Sequence, residues 1–412
     1  MLPSQADVLI AGAGPAGAHL ALRLARAGFS VLLLDQKRFP RDKPCGEFMS
    51  PECLPMLEDL GLRSLLDGVG ARRVRGMDLF GYGHHARGSF GPVATAKAPF
   101  EFGYAMRREV LDTLTLRAAA ARPEVAVLEG WRVADLRRDA DGRVVGVIAL
   151  DPAGQPRDLG ASWTVGADGL RSRVANRLGV RRPVPWLQKF AFVLRYAGEF
   201  PQDHAEVHMF PGGYFAASPV DGGHFTVNLV VDQAVVPPGR SQVEEMLATT
   251  LAATPRLAEK VCGATREPGF QAIGPLACAT TRQTGAGWAL VGDACGYVDP
   301  VTGEGLFFAM RGAERLAAAL IGALHAQCTD QRALASYVQA RQAEFAPRMF
   351  FAKMLQRGLR SPWVTRQVLG VLESRPKLTD LLVAITGDYV PGRALLSPRL
   401  WWEALRTGRV AS

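Results

Sequence analysis

The chain has 412 residues, 48% of them hydrophobic, which excludes a disordered or fibrous protein and is enough for two domains or one elaborated domain. Its formal net charge is +9, but the basic residues are dispersed and no recognition motif is visible, so we expect anionic cofactors and no nucleic-acid partner. Six cysteines without a CxxC pair predict reduced thiols in a cytoplasmic protein that has no metal site.

The first predicted elements are a strand over residues 6–11, a glycine-rich turn and a helix over 15–28. Gly12 permits a tight turn, Gly14 lets the backbone approach a pyrophosphate, and Gly17 lets the helix pack closely on the strand. A second strand over 30–34 ends at Asp35, near the spacing of a ribose-binding acid. The predicted dinucleotide-binding residues here are Gly12, Gly14, Pro15, Ala16, Gly17, Asp35 and Gln36.

A further predicted strand, over residues 164–167, ends in Asp168-Gly169 and is followed by Ser172 and Arg173. An acid in this position can contact a cofactor. It can equally cap a helix, because Asp before a helical stretch is a common start signal.

A second glycine-rich motif lies far downstream. Residues 288–292 are typical of a buried strand, and Asp293 follows, a carboxylate able to accept hydrogen bonds from a polyol such as a ribityl chain. Gly303-Glu304-Gly305 then opens a helical pattern from Leu306 to about residue 325. N–H groups at a helix start stabilise the negative charge of a reduced flavin, so the distant pair of motifs predicts FAD.

In this order the motifs resemble the flavoproteins of the para-hydroxybenzoate hydroxylase fold, over residues 1 to about 345. Within that fold, KPCGEFMSP (43–51) and DPVTGEG (299–305) are similar to the geranylgeranyl reductase-like branch. The resemblance implies FAD, with Asp35 at the adenosine ribose, Asp293 at the ribityl chain and residues 303–306 along the isoalloxazine. It also implies Arg108 near the phosphates and ribityl chain, and it links Asp168 to the use of FAD and NAD(P)H, the transient reductant. The further cofactor residues are Cys45, Gly46, Gly292, Gly303, Glu304, Gly305 and Leu306.

Two residues of the PCGE loop are candidate catalytic groups, since the resemblance brings this loop near the flavin ring. Cys45 could donate a proton or form a wall of the substrate site, although a free cysteine is more often an inert small hydrophobe. Glu47 could contact the substrate pocket, order the loop or lie on the surface.

The sequence also departs from its relatives. The reductase branch and the related flavin halogenases carry a tryptophan motif where this chain has GYFAASP (213–219), and the halogenases' lysine motif is not found. Halogenation is therefore disfavoured, and a strict geranylgeranyl reductase assignment is weakened.

Four histidines occur in two pairs, which makes them candidate functional residues. His84-His85 lies in a glycine-rich stretch and predicts an exposed turn. His204 and His208 alternate as in a strand, which puts them about 13 Å apart and disfavours a shared metal.

The fold class predicted is α/β: a Rossmann-like FAD-binding domain, an inserted antiparallel-sheet substrate domain and a helical C-terminal tail. The FAD-binding domain is discontinuous, at residues 1–75, 100–183 and 275–345, with the substrate domain at 76–99 and 184–274. Residues 346–412 form the C-terminal region. The ligand, a hydrophobic small molecule, should lie between the domains.

The C-terminal region is helical and rich in Arg, with apolar residues such as Trp401-Trp402. Such a tail could contact a membrane surface peripherally or cover the protein's own core. No apolar run reaches the ~18 residues that span a bilayer. The oligomeric state is left open.

Two reactions are compatible with these motifs. The first interpretation is an NAD(P)H- and O2-dependent monooxygenase that hydroxylates or epoxidises an aromatic, polyketide-like or isoprenoid molecule. The alternative is an ene-reductase of isoprenoid double bonds, and a flavoprotein that has lost its chemistry stays open as a third. An ordinary NAD dehydrogenase is disfavoured because no second glycine loop is found.

Overall fold

The computed structural model describes residues 4–93, 96–391, 394, 397–399 and 401–402. The end of the predicted C-terminal region, beyond residue 402, lies outside the described residues.

The described strands, in chain order, are β1 (Gln5–Ala11), β2 (Val31–Asp35), β3 (Phe48–Met49), β4 (Arg72–Val74), β5 (Gly76–Gly81), β6 (His84–Ser89), β7 (Gly103–Ala105), β8 (Val125–Glu129), β9 (Arg132–Arg138), β10 (Val144–Leu150), β11 (Pro156–Gly166), β12 (Arg181–Pro183), β13 (Lys189–Ala197), β14 (His204–Phe210), β15 (Gly213–Val220), β16 (His224–Asp232), β17 (Thr265–Arg266), β18 (Gln271–Ile273), β19 (Cys278–Thr280), β20 (Thr284–Gly285), β21 (Trp288–Leu290) and β22 (Gly296–Tyr297).

The described α-helices are α1 (Pro15–Arg26), α2 (Cys53–Asp59), α3 (Arg63–Gly68), α4 (Arg108–Ala120), α5 (Arg173–Arg177), α6 (Arg240–Ala252), α7 (Pro255–Cys262), α8 (Gly305–His325), α9 (Ala335–Leu359), α10 (Pro362–Ser374) and α11 (Pro376–Thr386). Short 3-10 turns occur at Gln233–Val235, Gly292–Cys295 and Pro300–Thr302.

The first large sheet is mainly parallel and carries the glycine loop. Its strands run in the order β20-β21-β11-β1-β2-β8, with the antiparallel pair β9 and β10 attached to β11. Strand β1 is almost wholly apolar because both faces are covered. On one face α1, α4 and α8 pack over the sheet, and on the other the β9–β10 ribbon covers it. The parallel strands therefore end together at one edge, where the motif residues meet.

The second large sheet runs β17-β13-β16-β15-β14-β5-β6, with β18 beside β13. It is antiparallel except between β5 and β14, which are parallel. Along β13, β15 and β16 the side chains alternate between two environments. One face, including Phe192, Phe215 and Leu229, forms a core with α6 and α7, while the other faces the first sheet's motif edge. The predicted fold class is confirmed.

The C-terminal helices pack against the second sheet. Apolar residues of α10 and α11, such as Leu369, Leu381 and Ile385, share one core with Met77 and Leu79 of β5. Part of the C-terminal region therefore covers the protein's own core, as one of the two interpretations expected.

The predicted exposed turn at His84-His85 is wrong, because both residues begin β6 and pair with β5. His84 contacts Glu373 of α10, with Nδ1 2.6 Å from the carboxylate, and the Nε2 atom of His85 lies 2.7 Å from Asp78 Oδ1. A contact 289 residues away holds this segment in a sheet, and local sequence carries no sign of it. His204 and His208 lie on the predicted strand, β14, and contact Asp203 and Glu206 respectively.

Candidate functional site

The glycine loop after β1 is set by close backbone packing. Gly12 has φ +105°, and a Cβ there would lie 2.4 Å from the carbonyl oxygen of Ala167. A Cβ on Gly17 would lie 1.8 Å from the carbonyl oxygen of Gly12. Gly14 differs, because its Cβ would meet only Arg41 Nη2 at 3.5 Å and Arg108 Nη2 at 3.9 Å. Two of the three glycines thus serve the fold, and the third leaves space between a helix N-terminus and two cations.

Those two cations share one buried carboxylate. The guanidinium of Arg108, on the first turn of α4, donates to both oxygens of Asp112 at 2.8 and 2.7 Å. Arg41 Nη1 lies 3.1 Å from the same carboxylate, and its Nη2 lies 3.6 Å from Asp35 Oδ2. Guanidinium groups and free N–H groups at a helix start are the partners that phosphate oxygens require. The arrangement around Gly14 therefore fits a pyrophosphate.

Asp35 closes the loop from the end of β2. Its Oδ2 accepts from the N–H of Ala13 at 3.0 Å and its Oδ1 from the N–H of Lys37 at 2.9 Å. A carboxylate has about four acceptor positions, so capacity remains for ribose hydroxyls. Asp35 and Gln36 line a cavity whose apolar wall includes Trp131 and Val133. This part of the site has the dimensions and chemistry for an adenosine, and sequence reasoning missed its tryptophan wall.

Asp168 lines this second cavity. It fits both roles that the sequence left open, the cap of a helix and the contact to a cofactor. Its Oδ2 accepts from the N–H groups of Arg173 at 2.7 Å and Val174 at 3.2 Å, so it caps the start of α5 together with Ser172. Its Oδ1 is buried without a partner among the described residues, and burial raises the pKa of the carboxyl. One oxygen thus serves the helix, and the other is left for a ligand group.

The downstream motif reaches the main cavity, which lies between the two sheets. Asp293 sits in the 3-10 turn after β21, with Lys43 Nζ 3.8 Å from its carboxylate. Helix α8 begins at Gly305, one residue before the predicted start, and Gly303, Gly305 and Leu306 line the cavity. Free N–H groups at this helix start are thus available to a ring placed in the cavity.

Glu304 points away from the cavity, unlike its neighbours. It is buried, with Oε1 3.5 Å from Arg348 Nη1 of α9. Arg348 also contacts the Asp388 carboxylate at 3.2 Å and donates to the carbonyls of Asp388 and Val390. Burial and the neighbouring Glu304 raise the pKa of Asp388 well above its ordinary value. The Glu304 side chain therefore anchors the loop to the C-terminal helices.

Glu47 occupies a strained and buried position in the PCGE loop. It has φ +59°, and its Oε1 accepts from the N–H of Arg108 at 3.1 Å and from Arg195 Nη2 at 2.7 Å. Arg195, on β13, also donates to both oxygens of Asp42 at 2.7 Å. Burial raises the pKa of Glu47 to about 7, although Arg195 opposes the shift, and Oε2 has no partner among the described residues. Glu47 thus ties the loop to helix α4 and to β13 of the second sheet, and its pKa lies near neutral pH.

The substrate side of the main cavity is one face of the second sheet. Its floor is formed by neighbouring positions on three strands: Ala191 and Val193, Tyr214 and Ala216, Asn228 and Val230. Ile273 and Leu276 add to the apolar wall. The cavity holds about 1170 Å³ of space not filled by atoms, part of it open to solvent.

Tyr214 belongs to the stretch GYFAASP (213–219), which stands where the relatives carry a tryptophan motif. Its hydroxyl donates to Asp299 Oδ1 at 2.7 Å, and Asp299 in turn caps the 3-10 turn at Val301. The tyrosine thus joins the sheet to the loop before α8. Beside it, Asn228 Oδ1 is buried without a partner among the described residues, so it can accept a hydrogen bond from a ligand.

Most of the predicted site residues come together around these two connected cavities. The main cavity is lined by Gly14, Pro15, Ala16, Cys45, Gly46, Glu47, Arg108, Gly292, Asp293, Gly303, Gly305 and Leu306, and the second by Gly12, Gly14, Asp35, Gln36 and Asp168. Gly17 and Glu304 line neither. Arg41 and Arg195 were missed, because only the tertiary fold brings them to the site, and the strand patterns around Tyr214 and Asn228 left open which side chains line the cavity.

The comparisons with known proteins agree with this geometry. A family model described as an FAD binding domain matches residues 5–349. The menaquinone reductase of Mycolicibacterium smegmatis is 29% identical over 335 residues, which cover 77% of this chain and 76% of that protein. A digeranylgeranylglycerophospholipid reductase of Methanopyrus kandleri is 30% identical over 73% of this chain and 76% of its own length. The structure of the myxobacterial chondrochloren halogenase CndH matches with a TM-score of 0.77 and 26% identity, over 85% of this chain and 82% of that one.

Proposed function

Because the chain belongs to the FAD-binding-domain family of flavoproteins, we propose that it reduces a carbon–carbon double bond of an apolar, isoprenoid-like molecule, with NAD(P)H as the source of electrons. FAD itself follows from the family and from the fit of the residues around Gly14, Asp35 and Asp293. The reaction and the substrate are the proposal. The monooxygenase interpretation, which the missing tryptophan motif and the unusual C-terminal tail had placed first, becomes the second candidate.

The observation that carries this proposal is the composition of the main cavity. Backbone and side chains of the cofactor motifs form one side, and a mostly apolar floor, in which Tyr214 and Asn228 carry the polar groups, forms the other. A molecule held on that floor has its carbon skeleton next to the position predicted for the flavin ring. The PCGE and DPVTGEG motifs and the two reductases among the relatives support the same class of substrate.

Reduced FAD supplies two electrons and one hydrogen to an acceptor, and the protein must supply the remaining proton. Two groups of this chain suit that task. Cys45 lines the cavity next to the Arg108 guanidinium. Glu47 follows it in the same loop and keeps its proton up to about pH 7. We assign Cys45 as the group beside the substrate and Glu47 as the residue that holds the loop and can replace the proton.

The test is anaerobic. Protein purified with FAD is reduced with NADPH and then mixed with menaquinone or a geranylgeranyl lipid in the absence of oxygen. We expect the oxidised flavin absorption to return and the isoprenoid chain itself to gain two hydrogens, as located by fragment mass spectrometry, because reduction of the menaquinone ring to a quinol would add two hydrogens without reducing that chain. Cys45→Ala should slow this second step at least tenfold while reduction by NADPH is unchanged. Flavin that stays reduced with both lipids would contradict the proposal.

Monooxygenation is the second candidate, and the missing tryptophan motif favours it. Tyr214 and Ala216 lie on the cavity floor in the stretch where the reductase branch carries its tryptophan motif, which suits a different substrate. When the experiment is repeated with oxygen-18 gas in place of the anaerobic step, this reaction would transfer labelled oxygen to the product. A protein that binds FAD but neither accepts electrons from NADPH nor reacts with either acceptor would exclude both candidates.

A further inference from the structure

Large hydrophobic side chains are unevenly distributed over the described surface. Nine are exposed in the described part of the chain, and five of them lie within 22 residues: Phe350, Met354, Trp363, Val368 and Val371. Phe350 and Met354 are one turn apart on α9, and the other three lie on α10. Their exposed fractions reach 71% at Trp363. Scattered surface hydrophobics are ordinary, but such a concentration marks an interaction surface. We call residues 350–371 the docking face.

The charge of the same segment is strongly biased. Residues 345–372 contain no Asp or Glu, although acids make up 39 of the 412 residues of the chain. They contain five basic residues, of which Arg348 is buried against Glu304. Arg357, Arg360 and Arg366 are exposed. The one carboxylate of α10, Glu373, contacts His84, so the exposed charges between these apolar side chains are cationic. Such a surface is complementary to one that is apolar inside and anionic outside.

The opposite side of α9 packs against the wall of the main cavity. Ala352 and Met349 pack against Leu187 and Ala277, which adjoin the cavity-lining strand β13 and Leu276. Gln356 accepts from Lys189 Nζ, the first residue of β13, at 2.6 Å. The helix that carries half of the docking face is therefore in direct contact with the substrate side of the site.

We propose that residues 350–371 dock the protein on a bilayer that contains anionic lipid. Trp363 and its apolar neighbours enter the interfacial region, and the exposed arginines contact lipid phosphates. None of the described helices is long and apolar enough to cross a membrane. This inference rests on the surface alone and does not depend on which reaction the cavity performs.

The experiment is co-sedimentation of the full-length, FAD-loaded protein with vesicles. One set contains phosphatidylcholine alone, and the other contains phosphatidylcholine mixed with phosphatidylglycerol. We expect binding to the mixed vesicles that weakens with salt. Replacing Phe350, Met354 and Trp363 together by serine should lower the partition coefficient more than tenfold. Arg366→Gln should lower it about fivefold. The four test substitutions and the two control substitutions all change exposed side chains, so FAD content reports that the fold is kept.

Matched controls separate this face from the rest of the surface. Val235 is exposed on the substrate sheet's side of the molecule, and Lys97 is an exposed cation far along the chain from the docking face. Val235→Ser and Lys97→Gln should leave vesicle binding within twofold of the parent. The proposal is overturned if the parent does not bind the mixed vesicles, or if the triple variant binds them equally well. It is also overturned if the triple substitution dissociates an oligomer in sedimentation velocity without changing vesicle binding, since the face would then meet a second copy.

Discussion

The two sides of the main cavity are built by different means. On the cofactor side, backbone atoms approach each other so closely that glycine is required, and buried charges such as Arg108 and Asp112 are paired. On the substrate side, mostly small side chains project from a regular sheet. Replacing one of them therefore changes the floor of the cavity but leaves the strand in place. The first side is thus fixed by the fold, whereas the second can change its specificity at little cost to stability.

The sharpest test of this comparison contrasts two glycines of one loop. Gly17→Ala should cost about 4 kcal/mol or more, since its methyl group would collide with the Gly12 carbonyl, and we expect little folded protein. Gly14→Val meets only flexible guanidinium ends, so the protein should fold but bind FAD at least 100-fold more weakly. Circular dichroism and FAD titration measure the two effects. A folded, FAD-loaded Gly14→Val variant would remove the pyrophosphate assignment.

An effect of intermediate size is expected at the Glu47 carboxyl, which lies where the cofactor side and the substrate side of the main cavity meet. Burial raises its pKa in the folded state to about 7, from an ordinary value near 4.5. The folded protein therefore binds this proton more tightly, so the contribution to stability is fully present below pH 4.5 and is lost as the pH rises through 7. The shift corresponds to about 3 kcal/mol.

Glu47→Gln should remove this dependence on pH. Relative to the parent, the variant should gain about 3 kcal/mol of unfolding free energy between pH 4.5 and pH 8, as measured by urea denaturation. Glu199→Gln, at an exposed position, should keep the pH profile of the parent. Identical profiles for the parent and Glu47→Gln would show that Glu47 is ionised throughout.

The smallest expected effect is on the substrate side. Ala216 and Ala217 are neighbours on β15, with Ala216 facing the cavity and Ala217 facing the core under α6. Ala216→Leu should raise the KM for the substrate about tenfold and leave FAD affinity and thermal stability unchanged. Ala217→Leu should lower stability by about 1–3 kcal/mol with little effect on KM. A loss of FAD from Ala216→Leu would show that the two sides are not separable.

Local signals explain how much of the molecule the sequence could predict. The strand, turn and helix at Gly12 to Gly17 and the start of α8 depend on glycine geometry and short-range periodicity, and both were predicted within a residue or two. The alternation along β16 separates an apolar set, Phe225, Val227, Leu229 and Val231, from a mostly polar set that includes Asn228, but it does not say which set lines the cavity. Only the tertiary fold shows it, because α6 and α7 cover the apolar set and leave Asn228 and Val230 facing the cavity. Arg195 and Arg348 were missed since their partners are 148 and 44 residues away.

The order of strands has a consequence for synthesis on the ribosome. Strand β1 carries the glycine loop, yet one of its two neighbours is β11, so Gln5 pairs with Gly160, and β11 in turn needs β21 at residues 288–290. A nascent chain can pair β1 with β2 and β8 early but must wait for most of its length before that sheet is complete. The edge of β1 stays open until β11 is made, and the outer edge of β11 stays open until β21 follows. Nascent chains of this protein should therefore depend on protection from aggregation until the last third is made.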